Sequence, residues 1–261
     1  MREIHLGGEE LRARLTAARP PSSDDASITR DGRRLGSKEE VLEFLAESTP
    51  PVPLLPGSGV ATGRPEPPPD IPPILAVLNR HAVEYLLVGG VATIVHGAAL
   101  RTGDIDCLVD GSAENLHRLA LALRELDALL RVGRHDEAPL LPVVLDEVML
   151  QRTEISIWRT GAGNVDVLTV LPGPGGRCLH YDDLAEGAYL AVIEGMTARV
   201  ASLDDVITTK QWANRPKDRQ VLPELRELYQ SQDAVDQEKE QSAPDHNSPA
   251  APNQENLRVR P

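Results

Sequence analysis

Glu84-Tyr-Leu-Leu-Val-Gly-Gly-Val-Ala-Thr-Ile-Val-His-Gly97, continued through Arg101 and Thr102 to Asp104-Ile-Asp-Cys-Leu-Val-Asp110, is the stretch whose reading decides the fold. Tyr85 to Val88 is a short apolar run that stops at two glycines, as a buried strand does where the backbone turns sharply. Val91 to His96 predicts a short helix closed by Gly97. A strand, a Gly-Gly turn and a helix N-terminus gather backbone N–H groups at one point, an arrangement that suits a phosphate. Ile105 to Val109 predicts a second strand, and side-chain alternation sends Asp104 and Asp106 to one face of it. Two carboxylates held that close repel each other, and the usual resolutions are a shared proton or a divalent cation. Hard oxygen ligands beside a phosphate-binding turn point to Mg²⁺ or Mn²⁺.

Further along, Glu154 to Thr160 and Val165 to Leu171 predict two strands joined by Gly161-Ala-Gly-Asn164, a turn rich in conformationally permissive residues. Asp166 lies between Val165 and Val167. A lone carboxylate in so apolar a strand is costly unless it is paired or bound to a metal, which makes Asp166 the natural third ligand.

Gly89-Gly90, a short helix and then Asp104-x-Asp106 resemble the active-site signature of the nucleotidyltransferase superfamily that includes DNA polymerase beta. The version with His96-Gly97 and Arg101-Thr102-x-Asp104-Ile-Asp106 is more like the AbiEii/MenT-type nucleotidyltransferases of toxin–antitoxin systems. The resemblance implies an α+β nucleotidyltransferase fold, a mixed β-sheet flanked by helices. It implies that Asp104, Asp106 and Asp166 are the catalytic, metal-binding carboxylates, and that Gly89 and Gly90 hold the triphosphate of an NTP, with Arg101 and Thr102 at the nucleotide. Ser202-Leu-Asp-Asp205, Lys210 and Arg215-Pro-Lys-Asp218 are similar to the C-terminal segment of these enzymes, where a lysine, here Lys210, reaches the phosphates. The implied reaction moves an NMP from the NTP to a hydroxyl of tRNA or of a partner protein and releases pyrophosphate. A cognate toxin or antitoxin is the implied partner. One departure is Val91, where many members carry Ser, so one hydroxyl contact to phosphate is missing. Together with the N-terminal segment, Val91 motivates an alternative: a non-catalytic nucleotidyltransferase-fold binding protein or antitoxin that neutralises a partner.

Each of these residues also has an ordinary structural reading. Any tight strand-to-helix turn wants glycine, a helix lysine such as Lys210 is normally solvated, and Arg101 is equally at home as a surface loop arginine. Lys217, seven residues after Lys210, would share its helix face but lies beyond Pro216. Asp110 is expected at a strand end near the Ser112 cap, and His96 as a residue that caps or packs. No GxxxxGK[ST], HExxH or GxSxG motif occurs, and the Gly-Gly stretch does not match GxGxxG, so P-loop hydrolysis, zinc proteolysis, serine hydrolysis and hydride transfer have no foothold.

The formal net charge of −13 argues against a surface that coats nucleic acid, since that binding runs on lysine and arginine releasing counterions. It mildly favours a protein or small-molecule acceptor over bulk RNA. The cysteines are Cys107 and Cys178, with no CxxC or Cys/His cluster, which supports neither a disulfide framework nor zinc and suits a reducing cytoplasm. No apolar run reaches the roughly 18 residues of a membrane span, so no membrane association is expected.

The 261 residues divide by composition. Residues 1–47 predict a small unit with a helix over 8–18, a hairpin around Asp31-Gly32 and a helix through Ala46, which reads as a docking or dimerisation arm or, through Arg30, Arg33 and Arg34, as an operator- or partner-binding element. Residues 48–73 are rich in proline and predict an extended linker. Residues 74–230 hold the nucleotidyltransferase domain, with Ser112 capping a helix whose stripe is Leu116, Leu119, Ala120, Leu123, Leu126 and Leu130. A hairpin around Glu194-Gly195 and a helix capped by Ser202 follow, and residues 231–261 predict a disordered tail.

Overall fold

Among the described residues, short apolar runs bounded by glycine, proline or a polar cap leave no long element before residue 216, and they assemble around one mixed sheet. The computed structural model describes residues 3–16, 28–30, 33–35, 43, 61–62, 68–132 and 139–242. In chain order the elements are β1 (Glu3–Leu6), α1 (Gly8–Thr16), β2 (Ile28–Arg30), β3 (Arg33–Leu35), β4 (Ala61–Thr62), α2 (Ile71–Arg80), β5 (Tyr85–Leu87) and α3 (Gly89–Val95). There follow β6 (Asp104–Val109), α4 (Ala113–Glu125), β7 (Leu129–Arg131), β8 (Pro139–Leu141), α5 (Glu147–Gln151), β9 (Ile155–Thr160), β10 (Gly163–Leu168), β11 (Leu171–Pro172) and β12 (Cys178–Leu179). The chain closes with α6 (Tyr181–Ala185), β13 (Tyr189–Ile193), β14 (Met196–Val200), α7 (Leu203–Ala213) and α8 (Pro216–Ser242).

Among the described residues the main sheet runs in the order β1-β13-β14-β5-β6-β10-β9-β7-β8-β4, with β2 attached to β9 and β3 to β2, while β11 and β12 form a separate pair. Parallel pairing joins β1 to β13, β14 to β5 and β6 to β10; the other neighbours are antiparallel. The protein is therefore α+β, a mixed sheet flanked by helices. No helix among the described residues is long and apolar enough to cross a membrane.

Local chemistry accounts for the helix and hairpin ends. Ser112 accepts the Asn115 N–H at 3.3 Å and starts α4, which buries Leu116, Leu119, Ala120 and Leu123 as their spacing requires. The stripe stops short of Leu130: Asp127 takes φ 51° and turns the chain, so Leu130 enters β7 instead of the helix. The hairpin between β13 and β14 turns on Glu194 and Gly195, both at positive φ (48° and 82°), as a two-residue turn matched to strand twist demands. Helix α2 begins three residues earlier than the linker boundary suggests, because Pro72 and Pro73 fit the first helical turn, where no N–H is needed.

Two expectations meet a different arrangement. Residues 3–16 do not stand apart from the main body. Strand β1 lies parallel to β13, Leu6, Leu11 and Leu15 are buried in the common core, and Arg14 Nη1 donates to the Ile94 carbonyl of α3 at 2.7 Å. The hairpin of β2 and β3 pairs as its sequence predicts, and β2 also pairs with β9, while Asp31-Gly32 and the helix expected through Ala46, apart from Glu43, lie outside the described residues. The expected tail from Ser231 instead continues α8 to Ser242, and the rest of it lies outside the described residues. Glutamine, glutamate and alanine are good helix formers, and a helix extended from a docked one does not have to be nucleated afresh.

Leu11 is only 2% exposed. Leu11→Ala is expected to cost about 2–4 kcal/mol in urea unfolding. An unchanged midpoint would mean that the first helix is a detached arm.

Candidate active site

The parallel ladder between β6 and β10 sets Asp104 beside Asn164 and Asp106 beside Asp166. Alternation then puts all four on one face of the sheet, while Ile105, Cys107, Val165 and Val167 point into the core on the other. Asp166 is thus on the same side as Asp104 and Asp106, on a strand next to theirs. Two expected strands, an expected Gly-Gly corner and a register that sequence does not encode have brought the predicted carboxylates together.

The glycine corner is shaped by these acids. Val88 N–H donates to the Asp106 carbonyl at 3.0 Å, and Gly89 follows at φ +58°. A Cβ on Gly89 would lie 2.0 Å from Asp106 Oδ2, and one on Gly90 2.4 Å from Thr102 Oγ1. Neither position has room for a side chain. Gly90 N–H donates to Asp106 Oδ2 at 3.1 Å, so this N–H at the start of α3 already holds a carboxylate. Thr102 is buried, and its hydroxyl meets Asp104 Oδ1 at 2.7 Å, which orients the carboxyl instead of facing outward. Val91 is fully buried in the core.

Burial raises the pKa of Asp106 to about 6, with repulsion from Asp104 adding to it; Lys217, the Gly90 N–H and Arg215 pull it back. Asp166 is raised well above the ordinary carboxylate range, by burial first and then by Asp104 and Asp106, against Lys217 and Arg131. Its Oδ1 is buried with no hydrogen-bond partner among the described residues. The same field and burial push the Cys107 thiol up. Among the described residues, no three His, Cys, Asp or Glu side chains are gathered into a set that encloses a metal ion. One oxygen of Asp104 and one of Asp106 are held by protein donors, Thr102 and the Gly90 N–H. What suits a hard divalent cation here is the chemistry of the donors: carboxylate oxygens from two adjacent strands, one of them, Asp166 Oδ1, with no donor among the described residues.

At the junction of α7 and α8, Asp218 is fully buried and binds three donors. Its Oδ1 accepts from Lys210 Nζ at 3.3 Å, and its Oδ2 from Arg215 Nε at 2.8 Å and the Arg215 N–H at 3.3 Å. Burial alone would raise the Asp218 pKa, but the Arg215 and Lys210 bonds hold it low. Lys210 is buried, contrary to the solvated reading of a helix lysine, and burial lowers its pKa against the opposing pull of Asp218 and Asp106. It is close enough to feel Asp106, yet its ammonium is engaged with Asp218. Arg101 is exposed. Asp110 Oδ1 accepts the Ser112 N–H at 2.6 Å at the strand end, and His96 Nε2 lies 2.8 Å from the Ala201 carbonyl with its ring edge-on to Tyr189, so both have the structural places expected of them.

Arg131 and Asn164 carry no functional signal in the local sequence, and Arg215 and Lys217 stand out there only as part of the Arg215-Pro-Lys-Asp218 segment. Lys217 is in the first turn of α8, beyond the Pro216 that was expected to separate it from Lys210's face, and it acts on both Asp106 and Asp166. Asn164 was read as turn and is instead the second residue of β10. Only the register of β10 on β6, which no local pattern announces, could have marked it.

Fold and site together define an α+β protein with a partly buried carboxylate cluster at a glycine corner, rimmed by Lys217, Arg215 and Arg131. No protein-family model matches the chain, and no curated protein matches it. Among solved structures, a crystal structure of a Thermotoga maritima protein, provisionally described as a nucleotidyltransferase, aligns over 64% of this chain and 89% of its own length at 14% identity and a TM-score of 0.35. Likeness of that degree is too slight to carry either fold or function.

Two outcomes are expected. Because Asp106 and Asp166 bind protons more tightly folded than unfolded, their protons favour the fold. That contribution is full below about pH 4 and is lost as pH rises through about 6, where Asp106 ionises. In chelator-treated protein the melting temperature should therefore fall between pH 4 and 7, and Asp166→Asn should flatten the fall; an unchanged slope would show that Asp166 is ionised without penalty. Lys210→Met leaves Asp218 buried with one cation fewer and should cost about 3 kcal/mol in chemical unfolding.

Proposed function

We propose that this chain is a metal-dependent nucleotidyltransferase that moves an NMP from an NTP to a hydroxyl acceptor. The observation that carries the reading is the shared face of Asp104, Asp106 and Asp166, two of them with raised pKa values and one with an orphaned oxygen, directly against a Gly-Gly corner that cannot accept a side chain. A Mg²⁺ or Mn²⁺ ion held by these carboxylates would supply charge neutralisation of the triphosphate and a more acidic acceptor hydroxyl. In the reaction, the acceptor hydroxyl gives up its proton to solvent as its oxygen bonds to the α-phosphorus, the bond from that phosphorus to the bridging oxygen breaks, and pyrophosphate leaves.

The chain's own side chains have separable tasks. Thr102 fixes the Asp104 carboxyl, and the Gly90 N–H fixes that of Asp106. Lys217 and Arg215 offer positive charge on the side where a polyphosphate would lie, while Lys210 ties the start of α8 to α7 through Asp218. The acceptor is a hydroxyl of tRNA or of a partner protein, as in the AbiEii/MenT-type enzymes that the sequence resembles, and a cognate toxin or antitoxin is the expected partner. The acidic balance of the chain favours the protein acceptor.

A second reading, a nucleotidyltransferase fold that binds without turnover and serves as an antitoxin, is favoured by one specific feature. The Gly90 N–H, the Thr102 hydroxyl and the Lys210 ammonium, three donors suited to phosphate, are already engaged within the protein. Calorimetric NTP binding with no product, together with a stable complex with the neighbouring gene's product, would select it.

The test of the first reading is purified protein incubated with each labelled NTP, Mg²⁺ or Mn²⁺, and cell RNA or lysate. Label should enter an acceptor and fall by at least about 100-fold in Asp104→Ala and Asp106→Ala, since each removes a group that orders the transition-state charge. Labelling that both variants retain would remove the assignment. Lys217→Met should reduce labelling about tenfold or more with little change in melting temperature, in contrast to Lys210→Met.

A further inference from the structure

Asn164 has an unusual position for a polar side chain. It is only 6% exposed, and its Oδ1 is buried without a hydrogen-bond partner among the described residues. A buried carbonyl oxygen left unmet is disfavoured, and native proteins seldom retain one without a use for it. Its surroundings hold it firmly. Gly163, at φ +123°, brings the strand so close to Pro69 that a Cβ there would sit 2.7 Å from the Pro69 Cα, and Thr160 Oγ1 donates to the Gly163 carbonyl at 2.7 Å. Asp70 N–H donates to the Ala162 carbonyl at 2.7 Å. The residue is therefore fixed on a hairpin that is itself clamped.

The register supplies the direction. Asn164 is the ladder partner of Asp104 and lies two residues before Asp166 on the same strand, so its side chain shares their face. Neighbouring strands lie about 4.8 Å apart, and residues two apart on a strand about 6.6 Å. Asp104, Asn164, Asp106 and Asp166 thus occupy the corners of a small rectangle, three of them carboxylates and the fourth a neutral amide oxygen. Two of these four residues, Asn164 and Asp166, carry a buried oxygen with no donor among the described residues. Amide carbonyls are ordinary ligands of hard divalent cations, either directly or through a bound water.

We infer that Asn164 Oδ1 is a fourth oxygen donor of the cation site, facing the ion or a water bound to it from beside Asp104. The inference rests on the metal-dependent reading above. A neutral donor at that corner adds coordination without a fourth negative charge in a place where three already repel.

The experiment uses the full chain, stripped of metal, with Mn²⁺ as the probe in calorimetry and thermal unfolding followed without metal. Asn164→Leu is expected to weaken Mn²⁺ binding at least about tenfold while leaving the metal-free melting temperature unchanged or higher, because it removes an unmet polar atom. Asn164→Asp is expected to bind Mn²⁺ at least as tightly as the unaltered chain and to melt lower without metal, because it adds a like charge. The inference is overturned if the leucine variant keeps its Mn²⁺ affinity, if its metal-free melting temperature drops as that of a structural asparagine would, or if the aspartate variant loses the ion. An unaltered chain that binds no Mn²⁺, indistinguishable from Asp166→Asn, would overturn the metal-dependent reading itself. Affinity lost in Asp166→Asn but kept in Asn164→Leu would overturn only the role of Asn164.

Discussion

Asp106 and Asp166 stand side by side on neighbouring parallel strands, and the site is organised around their repulsion. Burial penalises both charged forms, and like charge adds to it, from Asp104 at Asp106 and from Asp104 and Asp106 at Asp166. A fold keeps such a row only if something offsets the penalty. Within the chain the offsets are partial: one N–H from Gly90, and the fields of Lys217, Arg215 and Arg131. None of these reaches Asp166 Oδ1 with a hydrogen bond. The remaining deficit of positive charge is what supports the proposed cation on this face.

The glycine corner and the carboxylates specify each other. With Asp106 Oδ2 where a Gly89 side chain would be, the strand-to-helix turn closes only because residue 89 has none and can adopt positive φ. Gly90 has the same relation to Thr102, which in turn holds Asp104. Conformation and charge placement are therefore one constraint at this corner. The far end of α3 is held as well, by Arg14 from the N-terminal segment on the Ile94 carbonyl, so the short helix is anchored at both ends by residues distant in sequence.

Much of this was legible in the sequence. The strand ending at Gly89-Gly90, the Asp104 strand, the hairpin carrying Asp166 and the Ser112 and Ser202 caps are local patterns with local causes, and they formed as their residues predict. What was not legible depended on pairing between distant segments. No periodicity tells that Glu3 to Leu6 lies beside β13, nor that Asn164 falls opposite Asp104. Lys210 misled for a different reason: in a sequence a helix lysine looks solvated, and only the packing of α7 on α8, which buries Asp218, gives it a partner. Prolines 72 and 73 were read as the end of a linker because proline breaks helices, although the first helical turn is where it does no harm.

The division of labour among the basic residues follows from their depth. Lys210 is buried and paired, so its charge is used to hold Asp218 and the start of α8. Lys217 is half-buried in the first turn of that helix and acts on both Asp106 and Asp166. The ion cluster around Asp218 thus sets the position of a cation that reaches the carboxylates. In a chain with 40 acidic and 27 basic residues, an anion approaching the protein meets repulsion nearly everywhere. The half-buried Lys217, Arg215 and Arg131 gather positive charge where the acids alone would repel a polyphosphate. Under the proposed function, a cation on the carboxylates would add its charge to those three and help to draw an anionic substrate to this face.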